Sequence, residues 1–347
     1  MTAESLAGRL RSEITQHGSM AVSDYVEAAL YDPEEGFYSV AGRAGRRGDF
    51  LTSPEVGPLF GAVIARVIDG VWIAAGRPEE FRVVEYGAGP GTLCRAVLAA
   101  EPGCAVTGSL EWVMVEVSVA QRADHPTGPN CRSVADDSEI DGANFLLANE
   151  FFDNLPFDIV AHRAEGWVER RVALHDDVFV LVDGQTAAVP AGAEGLPPGA
   201  ELPVHSHLAP WLVRTKARFA EAPLLAFDYG ATASEVAGRG VGWLRAFRSH
   251  GSDTAWLATP GLYDITTDVV LEQVDAALSI SHVETQSEFL RRHGIEDLVE
   301  EGKQVWAGSG HIADLAAVKA RSRIREAESL LDPAGMGGFL ALYWRAG

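Results

Sequence analysis

The sequence predicts an α/β protein. Its expected core is a Rossmann-like doubly wound sheet, preceded by an N-terminal helical segment and interrupted by an inserted antiparallel β/helical lobe. Three observations carry this. A short apolar strand, a glycine-rich turn and a helix-compatible run follow one another in RVVEYGAGPGTLCRAVLAA, residues 82–100, which is the opening unit of a doubly wound sheet. Two further apolar runs, LEWVMVEVS (110–118) and NFLLANE (144–150), end in polar groups, as buried parallel strands do where they reach a ligand rim. From Phe157 to Val182 the pattern changes to strand-like alternation, the mark of half-buried antiparallel strands.

In the glycine turn, Gly87, Gly89 and Gly91 alternate with Ala88 and Pro90, and Thr92 follows. A Cβ at such positions blocks both a sharp turn and the approach of a ligand to the backbone. A dinucleotide fingerprint has the spacing G-x-G-x-x-G; here the third glycine comes one residue early. Glu85 lies inside the strand. The second strand ends at Glu116, 25 positions past Gly91, where doubly wound folds place an acid that accepts hydrogen bonds from ribose hydroxyls; a surface glutamate at a strand end is the plainer alternative. A short third strand is expected around Cys131 to Val134, with Asp136 and Asp137 after it as candidates for an adenine amino group. The fourth strand delivers Asn149, Glu150 and Asp153, and helix capping is the alternative role for Asn149 or Asp153. The fifth, PLLAFDYG, brings Asp228 to the same rim.

Composition narrows the function. At 347 residues the chain can bury one large core, or one core with a sizeable lobe. Apolar residues make up 47% and charged residues 22%, ordinary for a soluble globular protein. The formal charge of −21 argues against nucleic acid as a partner, because phosphate contacts by Lys and Arg dominate that affinity. It suits a basic substrate drawn in by the field of the protein, and acidity for solubility explains it equally well. Cys94, Cys104 and Cys131 form no metal-spaced pair, and a sparse, odd count suits a reducing compartment. The first residues show no apolar core of signal-peptide length. The stretch Val56 to Ala75 carries Arg66 and Asp69 in its middle, so it reads as a buried helix and not a membrane span. A cytoplasmic protein without a membrane partner is expected, and a homodimer is left open.

The remaining elements follow in order. Residues up to about Leu30 read as two helices, the second with Ser23 as its cap and Val26, Ala29 and Leu30 on one face. YDPEEGFYS breaks regularity. GRRGDFLTSPEVGPLFG, carrying Asp49, Thr52, Pro54 and Glu55, reads as a segment that folds over the mouth of the nucleotide unit. Thr266 or Thr267 is expected to cap the next helix, TQSEFLRRHG to be a short helix ended by Gly294, ADLAAVKARSRIREAESLL a long amphipathic helix, and MGGFLALYW a final strand. The expected division is N-terminal helices and roof over 1–78, a core over 79–156 and 222–347, and an inserted small sheet with its linker over 157–221.

With these motifs in hand, the chain resembles the MidA-like methyltransferases, which use S-adenosylmethionine (SAM) and whose mitochondrial members are protein-arginine methyltransferases that assist assembly of respiratory complex I. The shared signatures are GRRGDFLTSPEVGPLFG, VVEYGAGPGTL, NEFFDNLP, WVERRV, FDYG, PGLYDITTDV, TQSEFL and MGGF, in family order over nearly the whole chain. The glycine loop is similar to the SAM loop of class I methyltransferases, which packs against an uncharged methionine and ribose. The resemblance implies a class I SAM-dependent methyltransferase fold, SAM as cofactor, and cofactor contacts from Thr52, Pro54, Glu85, Gly87, Ala88, Gly89, Gly91, Glu116, Asp136 and Asn149. An arginine guanidinium is not deprotonated beforehand by an ordinary side chain, so its methylation needs carboxylates that grip it through paired bonds. Glu150 and Asp153, with Glu55 or Asp49 from the roof, are the candidates for that role. The partner implied is a protein presenting arginine. A small-molecule O- or N-acceptor, lined by Phe151, Phe152 and Tyr229, a non-catalytic SAM-binding assembly factor, and more distantly an NAD enzyme, stay open.

Overall fold

The computed structural model describes residues 5–40, 51–248, 251–252, 256–309 and 315–345. Asp49 and Gly48 of the roof motif lie outside them. The main sheet has seven strands, numbered here along the chain: β1 (Phe81–Tyr86), β2 (Leu110–Val115), β3 (Cys131–Val134), β4 (Phe145–Asn149), β5 (Leu224–Asp228), β6 (His282–Thr285) and β7 (Leu340–Trp344). Their spatial order is β6-β7-β5-β4-β1-β2-β3. The run from β3 to β5 is parallel, and β7 lies antiparallel to both its neighbours. In β1, Val84 stands opposite Val113 on one side and Leu146 on the other.

Alternate residues serve two cores. Phe81, Val83, Trp112, Met114, Phe145, Leu147, Leu225 and Phe227 pack against helices Pro58–Ala74, Thr92–Ala99 and Gln286–Arg292. Val84, Val113, Leu146, Ala148, Leu224 and Ala226 pack against helices Leu208–Arg218 and Leu271–Leu278. Burial on both faces explains why these strands read as continuous apolar runs. Arg66 and Asp69 of the apolar helix are used structurally: Arg66 donates to Gly294 O at 2.9 Å and Glu301 at 3.1 Å, and Asp69 accepts from the amides of Gly103 and Cys104. No helix among the described residues is long and apolar enough to cross a membrane.

A second sheet is antiparallel and contains Asp158–Arg163, Gly166–His175, Val178–Thr186 and Glu201–Val204, with Met20–Ala21 added at the edge of Gly166–His175. Helices Leu6–His17 and Val22–Tyr31 pack on it through Leu10, Ile14, Val22, Tyr25 and Val26. The N-terminal helices and the inserted strands therefore share one core. Helix Leu208–Arg218, read from sequence as part of the insertion, instead lies under the main sheet and forms the crossover from β4 to β5.

Two expected caps are absent. The helix over Val22–Tyr31 begins before Ser23, whose buried amide donates to Asp158 Oδ1 at 3.0 Å, so a carboxylate from the inserted sheet satisfies that helix end. Thr266 and Thr267 are buried in the strand Asp264–Thr267, paired with Leu244–Arg248, and the next helix starts at Leu271. The β-branched run Ile265-Thr266-Thr267 favours a strand over a helix start.

Candidate active site

The carboxyl ends of β1, β2 and β4 open onto one cavity of about 510 Å³, of ordinary size for a small-molecule site. The glycine turn leaves β1 with Gly87, Gly89 and Gly91 at φ of 64°, 54° and 78°, a backbone region costly for residues with a Cβ. A Cβ on Gly87 would come within 2.8 Å of the Phe151 ring, and one on Gly91 within 2.7 Å of Pro126. These two glycines let neighbouring segments close up, and Gly91 does not line the cavity. Gly87, Ala88 and Gly89 do.

Each acid on the rim has a definable surrounding. Glu85 is buried, accepts from Trp112 Nε1 at 2.7 Å, and is pushed up to about 8 by burial. Glu116, just past β2, accepts from Ser118 N at 2.8 Å and Gly89 N at 3.0 Å, and burial raises it. Asp136 accepts from Ser138 N at 2.7 Å and is lowered by its bonds to that serine. Asn149 donates to Glu150 Oε1 at 3.2 Å, while its own buried Oδ1 has no partner among the described residues.

Glu150 holds a strained backbone, φ 50°, a cost of about 1 kcal/mol of the kind stored at functional sites. The Ser53 amide donates to Glu150 Oε1 at 3.0 Å. Oε2 is buried with no partner among the described residues. Burial pushes this carboxyl up to about 7, against the pull of the Ser53 and Asn149 bonds. Asp153 is 2% exposed and sits behind the cavity wall, with Oδ1 likewise unpartnered; burial and the Glu150 charge push it up to about 7. Asp228 is not a free rim carboxylate. Its Oδ2 accepts from the amides of Phe151, Phe152 and Asp153, and its Oδ1 from Tyr229 N. It clamps the turn that presents Glu150.

The roof lines the cavity through Thr52, Pro54 and Glu55. The Glu55 carboxylate accepts from its own Thr52 amide at 3.0 Å and adds negative charge beside Glu150. Ser53 Oγ donates to Gln286 Oε1 at 3.0 Å, and Gln286 is fully buried. A TQSEFL helix thus anchors the roof residue that holds Glu150. The lining also includes residues outside the expected set. Tyr31 ends the helix Val22–Tyr31 and Tyr38 lies in the short helix Phe37–Val40, their hydroxyls donating to Asn154 O at 3.0 Å and Asp264 Oδ1 at 2.7 Å. Trp211 closes the side wall edge-on to Tyr86 and Phe151, at 4.8 and 5.1 Å between centroids. The density of aromatics in YDPEEGFYS was the available signal for the tyrosines.

The cavity fits SAM on three counts. Gly89 lines it without a side chain, Glu116 has carboxylate capacity left for hydroxyl donors, and Asn149 Oδ1 awaits a donor.

Comparison with known proteins agrees. A family model described as "Putative S-adenosyl-L-methionine-dependent methyltransferase" matches residues 63–288. The mitochondrial protein arginine methyltransferase NDUFAF7 of Xenopus laevis is 26% identical over 337 residues, covering 85% of this chain and 75% of that protein. Its namesake from Mus musculus is 28% identical over 336 residues, covering 83% and 73%. A crystal structure of a Burkholderia thailandensis protein bound to S-adenosyl-homocysteine superposes with a TM-score of 0.80 at 27% identity, covering 98% of this chain and 92% of that one.

Proposed function

This chain belongs to the family of SAM-dependent methyltransferases whose model spans residues 63–288, and from that membership we propose that its methyl acceptor is an arginine side chain presented by a protein. The single observation that carries this reading is the buried acid pair Glu150 and Asp153, each with a carboxylate oxygen that finds no donor among the described residues. Buried, unpaired carboxylates are costly and tend to protonate; they are best accommodated when a ligand brings positive charge. The relatives named above as arginine methyltransferases support the same acceptor.

When bound, SAM supplies a methyl group on a sulfonium sulfur, electrophilic toward a nitrogen lone pair. In this reading Glu116 holds the ribose, Gly87 to Gly89 line the nucleoside face, Asp136 faces the adenine end, and Asn149 and Glu85 complete the cradle. The protein's contribution to the reaction is positioning, which supplies about 7–11 kcal/mol when two reactants are held in line. Glu150, with Oε1 fixed by Ser53 and Asn149, offers Oε2 to a guanidinium N–H. As methylation makes the attacked nitrogen more acidic, its proton passes to this carboxylate, whose affinity near neutrality suits a temporary acceptor. Asp153 adds a second negative charge behind it. Asp49, outside the described residues, stays a candidate from the roof.

An aromatic lining of Tyr31, Tyr38, Phe151 and Trp211 favours a second reading, a small-molecule acceptor. The three free cysteines support a reducing compartment; the word mitochondrial belongs to the relatives' names. The deciding experiment is incubation of the purified protein with methyl-labelled SAM and lysate, acid hydrolysis, and chromatography of the amino acids. Label in methylarginines is expected. Label only in an extractable small molecule, or in other amino acids, transfers the assignment to the second reading.

A further inference from the structure

Tyr229 follows β5 directly and borders a second cavity of about 400 Å³, with Arg239, Arg245, Asp268, Met336 and Phe339 around it. The roof passes between the two cavities: Leu51 lines the second and Thr52 the first. The Tyr229 ring lies 4.1 Å from that of Phe339, centroid to centroid, and the Arg245 guanidinium sits 4.7 Å above the Tyr229 ring. Arg245 also donates to Asp268 Oδ1 at 2.8 Å, and Arg239 bonds the other oxygen of this fully buried carboxylate. Asp228 ties this cavity to the acids, accepting from the amides of both Asp153 and Tyr229, and Thr267, the residue before Asp268, donates its amide to Asp153 O at 3.2 Å. Glu150 therefore lines the cofactor cavity, and the Asp153 backbone is bonded next to residues that border a second cavity, which already holds a planar cation on an aromatic face.

We propose that this second cavity admits the acceptor's guanidinium, and that Arg245 lying on Tyr229 occupies its place until the acceptor arrives. The inference rests on the arginine reading above. A guanidinium is weakly hydrated, stacks on aromatic rings and pairs with carboxylates in a plane, and Arg245 satisfies these preferences on Tyr229. The Arg245 side chain is 22% exposed, so it has room to turn off the ring while keeping Asp268. Arg239 remains on Asp268 throughout. The incoming cation then takes over the stacking on Tyr229 and the compensation of Asp153, with its far end at Glu150. An empty acceptor site would otherwise leave the acids facing one another; Arg245 moderates that repulsion.

The test uses the full chain saturated with S-adenosyl-homocysteine, titrated with ethylguanidinium in a calorimeter and with ethylammonium as control. Arg245→Met should bind ethylguanidinium at least about fivefold more tightly than the unaltered protein, and adding Tyr229→Ala should remove that gain, the fold-changes expected of one cation–aromatic contact. Tyr229→Phe, which keeps the ring, should retain it. Affinity for S-adenosyl-homocysteine within about twofold in every variant shows that the fold is kept. Equal ethylguanidinium binding in all variants, or equal binding of ethylammonium, overturns the site. If binding follows the expected order but label never enters methylarginine, the guanidinium site stands and the protein-arginine reading fails. If methylarginine forms while binding is unmoved, only the second cavity's role fails.

Discussion

Glu116 shows how one carboxylate can be read before and after its neighbours are known. Its position past β2 marks it from sequence; the structure adds that the Gly89 and Ser118 amides fix its plane. Glu116→Ala should weaken SAM binding by about 1.5–3 kcal/mol, the range for bonds to a charged group, with a much smaller effect on the rate at saturating SAM. Calorimetry and initial rates separate the two. Glu85 gives a pH prediction. Its folded pKa of about 8 stands above the ordinary 4.5, so the stability it contributes is fully present below about pH 4.5 and is lost as pH rises through about 8. Glu85→Gln, which keeps an acceptor for Trp112, should flatten the fall in stability between pH 5 and 8.5 by roughly 1–3 kcal/mol, measured by denaturant unfolding at each pH. The acids of the strand ends were legible because parallel strands deliver their last residues to one rim. The role of Asp228 was not: nothing local says that its carboxylate holds three amides 75 or more residues away, whereas the bond from Glu55 back to Thr52 is a local T-x-x-E capping box that the sequence does carry.

Among the elements, the strands with continuous apolar runs were placed closely by sequence, whereas the cap at Ser23 and the helix start at Thr266 or Thr267 were not. Both failures share a cause. The polar group that satisfies the start at Val22 is Asp158, from the other end of a long chain separation, and Thr266 pairs with Arg245 in a strand whose β-branched run was in the sequence but whose partner is distant along the chain. The roof shows the same long reach. Gln286 holds Ser53, whose amide holds Glu150. Gln286→Ala should cost about 1–3 kcal/mol of stability, because a buried hydroxyl loses its acceptor. It should also lower the transfer rate more than SAM affinity. Unfolding curves and paired rate and binding measurements check this; an unchanged rate in a folded variant would detach the roof from the chemistry.

For the whole molecule, the main sheet and the lobe both contribute to one cavity. The main sheet brings the glycine turn, Glu116 and Glu150, and the lobe built from the N-terminal helices and inserted strands brings Tyr31 and Tyr38. The doubly wound core was readable in the order of its strands; the shared core of the helices Leu6–His17 and Val22–Tyr31 with the inserted strands was not, since two-residue edge pairing such as Met20 with Val172 leaves no periodic signal. The net charge of −21 favours encounter with cationic acceptors at low salt, in keeping with an acidic site. In the proposed reaction Glu150 grips the acceptor and not the cofactor. Glu150→Gln, assayed side by side for S-adenosyl-homocysteine affinity by calorimetry and for methyl transfer to protein, tests it most directly. Affinity within about threefold, under 1 kcal/mol, with transfer reduced at least about a hundredfold, is the predicted result; transfer within a few fold of the unaltered protein, or loss of both together, would contradict it.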